Sequence, residues 1–165
     1  MRLILSALLA MAFGSGALAQ DARVDRIEIV GKGLYRIEVG ASIPDANLPG
    51  GALAPPAEFT NIETTSTVEA RLGAEFGFEY RIVGEPNGAE VTLEFVNTYP
   101  APGLADPESP APFLESRYER TKKIGETIYS GYGLENDWEL VPGTWIFEIR
   151  HNGDTLASES FTLVK

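Results

Sequence analysis

The chain has 165 residues, with 24 acidic against 13 basic side chains, a formal charge of −11 and no cysteine. A field of that sign repels phosphate backbones and anionic lipid faces, so nucleic acid and membrane surfaces are not expected partners. Without cysteine there is no disulfide framework, and the fold must rest on an apolar core and hydrogen-bonded sheets.

The first element in the chain is an address. Arg2 gives a short basic start, residues 3–18 form an apolar run broken by Gly14 and Gly16, and Ala17-Leu18-Ala19 is a small-x-small cleavage site before Gln20. The run is shorter than the roughly twenty apolar residues that cross a bilayer. Residues 1–19 are therefore expected to be a cleaved signal peptide and not a retained membrane span. Removal would leave 165 − 19 = 146 residues, with no cysteine for lipid attachment and no membrane span. The expectation is a single domain over residues 20–165, periplasmic or secreted.

Beyond the leader, alternation with period two marks half-buried strands. Residues 24–30 and 34–39 are two such runs separated by Gly31 and Gly33, which fits either a hairpin or one long strand with a glycine bulge. Residues 42–56 and 99–112 are proline-rich and read as long loops. Phe76, Phe78, Tyr80 and Ile82 alternate with polar or small residues, as do Val91, Leu93 and Phe95, and Gly84-Glu85-Pro86-Asn87-Gly88 lies between them; this reads as a meander. Residues 113–124 fit a helical face or a strand, and strand is favoured because the stretch lacks a clear N-cap.

Trp145, Phe147 and Ile149 alternate up to Asn152-Gly153, a strong type I′ hairpin signal. Across a two-residue turn Ile149 faces Leu156, yet the later apolar residues Phe161 and Leu163 have the opposite parity. A bulge near residues 157–159 would restore the register. Some seven short strands with turn signals between them imply an all-β, immunoglobulin-like two-sheet antiparallel sandwich.

Residues 138–149, running from Trp138 through Pro142-Gly143 and Trp145 to Ile149, together with Asn152-Gly153, residues 156–164, Gly73-Ala74-Glu75-Phe76-Gly77-Phe78 and Tyr129-Ser130-Gly131-Tyr132, resemble a family of uncharacterised bacterial exported proteins, a domain of unknown function. The resemblance covers about residues 25–165. It implies one sandwich domain and no established activity, so no catalytic residue can be carried over.

Chemistry-bearing patterns are sparse. His151, the one histidine, flanks the Asn152-Gly153 turn, and no Gly-x-Ser-x-Gly turn exposes a nucleophile. One histidine and no cysteine serve zinc poorly. Among 24 acidic residues some pair falls at any separation, so carboxylate pairs give no glycosidase signal. Glu135-Asn136-Asp137-x-Glu139 and Asp106-x-Glu108 are acidic loop clusters without the spacing of a dedicated calcium loop. No catalytic, metal or cofactor residue is nominated.

The candidate ligand or partner surface is Tyr129, Tyr132 and Trp138 with Glu135 and Asp137 between them, since aromatic faces flanked by carboxylates can stack on sugar rings or receive a basic peptide segment. Trp138 is expected to plug the end of the core, and Tyr132 to be the more exposed because glycines flank it. The leading functional expectation is a non-enzymatic binding or envelope-assembly module whose partner is another envelope protein or a glycan. A carbohydrate-binding module with exposed aromatics is the alternative, and a hydrolase the lesser one.

Overall fold

Eleven strands form the fold in the computed structural model, which describes residues 21–165; the leader and its cleavage site lie outside the described residues. One sheet has the order β4 (Pro56–Glu63), β1 (Arg23–Val39), β6 (Glu75–Glu85) and β9 (Thr127–Gly133). The other has the order β5 (Thr67–Glu69), β11 (Asp154–Val164), β10 (Gly143–His151), β7 (Glu90–Thr98) and β8 (Glu115–Lys123). All pairs are antiparallel except β5 with β11. The ambiguous stretch before residue 124 is strand β8. Among the described residues no helix is long and apolar enough to cross a membrane.

Period-two alternation builds the interior. Phe76, Phe78, Tyr80 and Ile82 of β6 face Leu93 of β7, Trp145, Phe147 and Ile149 of β10, and Phe161 and Leu163 of β11, and all are buried. Each such side chain contributes roughly 1.5–3 kcal/mol by leaving water. Phe76 touches three partners edgewise or tilted, with Trp145, Phe147 and Phe161 centroids at 5.5, 5.7 and 5.4 Å. The Trp145 indole donates to the Val141 carbonyl at 3.1 Å, so its polar handle is satisfied.

The meander expectation is corrected. β6 and β7 do not pair; residues 84–88 carry the chain from one sheet to the other. Two strands with one apolar face each can bury those faces side by side or face to face, and alternation alone does not distinguish the two.

The last hairpin follows its sequence signal, with Asn152 at φ 52° and Gly153 at φ 88°. Its bulge falls at Leu156, just before the expected span: Arg150 pairs with Thr155 and Ile149 with Ala157. From there Trp145 opposes Phe161 and Gly143 opposes Leu163, which puts both odd-numbered sets inside.

The first two runs are one strand. β1 pairs with β6 over residues 23–34 and with β4 over residues 34–39, and its register shifts at Ile29/Gly31 and Leu34/Tyr35. β4, which has little apolar alternation to announce it, follows the first proline-rich loop. Strands lie about 4.8 Å apart, so the two ends of a flat four-stranded sheet are about 14 Å apart. Yet Phe59 of β4 stacks on Tyr129 of β9 at 5.9 Å, and Tyr35 of β1 lies 4.7 Å from the same ring. The β1/β4 ribbon therefore folds over the outer face of the sheet, where it makes a second, smaller apolar cluster.

Candidate functional site

Parity places β8 residues on a sheet edge with a special environment. Tyr118, Arg120 and Lys122 pair with Phe95, Leu93 and Val91 and so point to the interior side, but β8 is the outermost strand and only the edge of the opposing sheet lies near. Such positions need polar ends on apolar stems. Tyr118 stacks on Phe95 at 5.2 Å with its plane tilted by 10°, and the Arg120 guanidinium sits 5.2 Å from the Tyr118 ring centre.

β9 is the edge strand of the other sheet. It pairs with β6 alone, and no strand or loop among the described residues pairs with its other edge. Between this edge, β8 and the proline-rich segment 42–56 lies a cavity of about 590 Å³, lined by all five residues 129–133.

Segment 42–56 forms the cavity's wall. It is less irregular than a plain loop: β2 (Ile43–Pro44) pairs with β3 (Ala52–Leu53), and a 3-10 turn over Pro49–Gly51 joins them. The Gly40 amide donates to the Pro55 carbonyl at 2.8 Å, and the Gly50 amide to Asp106 Oδ2 at 2.8 Å, which ties this segment to the second proline-rich loop. That second loop is pinned by a bridge between Leu104, which is buried, and Phe113.

The nominated residues separate. Tyr129 and Tyr132 differ in parity and leave β9 on opposite faces. Tyr129, 7 % exposed, lies on the outer face under Tyr35 and Phe59 and donates to Glu75 Oε1 at 2.9 Å. Tyr132 points inward, half-buried, with its ring 5.1 Å from Trp145 and 5.9 Å from Tyr99.

Tyr132 and Trp138 are both half-buried. The glycine at 131 does not uncover Tyr132 but makes room for Tyr129, whose hydroxyl occupies the space a side chain there would take. Trp138 is half-buried against the core, Glu135 is exposed at the cavity and Asp137 is exposed in a 3-10 turn. The three rings are not coplanar and present no joint stacking platform.

Two carboxylates that were not nominated organise the site. Glu139, 4 % exposed, accepts from the Tyr132 hydroxyl at 2.8 Å and from the amides of Glu135 and Asn136 at 2.7 and 2.6 Å. The Asn136-x-x-Glu139 spacing of a capping box was its signal. Glu75 is pushed up to about 7, chiefly because burial disfavours its charge; the Tyr129 hydroxyl opposes this and the Glu135 carboxylate adds to it. Burial, with Arg120 beside it, lowers the Lys122 ammonium, against the pull of Glu126.

The remaining acidic clusters are occupied or apart. Asp106 accepts from the Glu108 amide at 2.9 Å as well as from Gly50. Among the described residues no group of three or more His, Cys, Asp or Glu side chains is placed to hold a metal. His151 Nδ1 is 3.0 Å from the Thr92 carbonyl beside the turn.

The family model described as a domain of unknown function (DUF3859) matches residues 31–163. Among solved structures, an immunoglobulin-like protein from Pseudomonas aeruginosa is similar over 92% of this chain and 100% of its own, at 22% identity and a TM-score of 0.55. That likeness shows the fold. An alkylpurine DNA glycosylase from Pseudomonas fluorescens (15% identity, 61% of this chain and 28% of that one, TM-score 0.41) and a β-glucosidase from Listeria innocua (5% identity, 78% and 16%, TM-score 0.37) are too distant in shape to inform function. No curated protein matches the chain.

Proposed function

Because the chain belongs to the DUF3859 family, which brings an immunoglobulin-like fold and no assigned activity, we propose that it is an exported, non-enzymatic binding module that takes an extended peptide segment of an envelope partner along β9. The observation that carries this reading is the unpaired edge of residues 129–133 facing the 590 Å³ cavity. A volume of this size lies within the ordinary range of ligand pockets. An edge strand offers main-chain donors and acceptors in register, so an added strand gains affinity from backbone bonds and specificity from the flanking side chains. Export is supported by the leader at residues 1–19 and is checked by the intact mass of the protein recovered from the cell envelope.

The binding test uses an end-blocked pentapeptide of alternating threonine and valine titrated into the isotope-labelled protein. The expected result is amide shifts and slowed hydrogen exchange confined to residues 127–133 and the facing side of β8. Shifts elsewhere, or none at millimolar peptide, would overturn the reading.

A further inference from the structure

We infer that Arg120 and Lys122 form a carboxylate-binding subsite, so that the segment added to β9 is an acidic one; this rests on the edge reading above. The two side chains are i, i+2 neighbours on the cavity side of β8 and both line the cavity. In a chain with 24 acidic and 13 basic residues, a cation can find a carboxylate nearby. Arg23, Lys32, Arg71, Arg81, Arg117 and Arg150 each do so. Among the described residues Arg26, Arg36, Arg120, Lys122, Lys123 and Lys165 make no ion pair, and of these Arg120 and Lys122 line the cavity.

The guanidinium is specific about what is missing. Its Nη1 donates to the Glu119 carbonyl at 2.6 Å, while Nε and Nη2 are buried with no acceptor. Nε and Nη2 form the side-on fork that matches the two oxygens of a carboxylate. Buried donors without partners are rare and costly, and a bound anion is one way to satisfy them. The Arg120 side chain lines the cavity and is only half-buried, and the Lys122 ammonium adds a second charge on the same wall.

Carboxylate is favoured over phosphate by the other walls. Glu75, Glu135 and Glu139 also line the cavity, and the larger charge of a phosphate group is repelled more strongly by them. Glu139 is already saturated by donors. The acidic residue of the ligand therefore seats at the β8 end.

The test compares the neutral pentapeptide with a twin carrying one central aspartate, reading β9 amides and the Arg120 Nε–H resonance. The acidic peptide is expected to bind about tenfold more tightly, and Arg120→Gln with Lys122→Gln should remove that preference, so that the two peptides bind the variant alike. Equal binding of the two peptides at β9 overturns the subsite and leaves the edge reading standing. Silence from both overturns the edge reading and the subsite with it. Inorganic phosphate outcompeting the acidic peptide at the Arg120 resonance assigns the pair to a free anion and also overturns the proposal. The two-peptide comparison on the unaltered protein decides even if the double variant fails to fold.

Discussion

The interior of the sandwich and the outer face of its four-stranded sheet are both covered by aromatic rings, but they are covered by different means. In the interior, Phe76, Trp145, Phe147 and Phe161 arrive on alternating strands, the last of them brought into register by the bulge at Leu156, and two sheets press them together. On the outer face, Tyr35, Phe59 and Tyr129 meet only because β1 bends and carries β4 over the sheet. The first cluster follows from local pattern. The second depends on tertiary geometry, and next to it the chain leaves both an unpaired edge and a cavity.

The difference can be broken most forcefully from the interior. Trp145→Ala should cost about 3–5 kcal/mol, as expected for a large ring lost from a packed core, read from denaturant unfolding. Tyr129→Ala should cost less, about 3 kcal/mol, because its surroundings are a thin ribbon that can collapse onto the gap. It should also unsettle amide protection in β4 while leaving β10 and β11 protected. Equal losses with uniform deprotection would show that the two clusters are one cooperative core.

Glu75 sharpens the comparison through pH. An unfolded glutamate releases its proton near 4.5 and the folded one near 7, so between those values the native state holds a proton that the unfolded state has lost. Its contribution to stability therefore falls as pH rises from about 4.5 to about 7 and is level above. Glu75→Gln should gain about 3 kcal/mol on the parent protein over that interval. Parallel stability curves for the two proteins would remove the assigned burial cost.

The smallest effect belongs to the last hairpin. Gly153 has φ 88° and open space around it, so Gly153→Val meets no neighbour but strains the backbone, at about 1 kcal/mol. An unchanged unfolding midpoint would mean that the turn relaxes without loss.

Strand content was legible wherever apolar residues alternate, as in β6, β7 and β10, and the parity conflict between Ile149 and Phe161 foretold a real bulge. Which sheet a strand joins was not legible, because alternation reports a buried face and not the neighbour that buries it. β4 was silent for a related reason: Phe59 is its lone aromatic, and its cover comes from Tyr129, some seventy residues away in sequence. The aromatic group was half legible. The parity of Tyr129 and Tyr132 already forbids one shared face in a strand, whereas the ribbon over Tyr129 could not be read. Arg120 and Lys122 gave no signal, since a charged alternation on an edge strand looks like a solvated face.

Segment 42–56 has a further consequence for the protein in a crowded compartment. Residues 127–133 carry no charge and no proline, the profile of an edge that recruits neighbouring molecules into growing sheets. β8, the edge of the other sheet, defends itself with Glu115, Arg117, Glu119 and Lys123. β9 has no such charges and is guarded by a tethered flap, with Pro49 and Leu53 facing it across the cavity. The same segment that shapes the pocket therefore stands between this edge and the sheet edge of a neighbouring molecule.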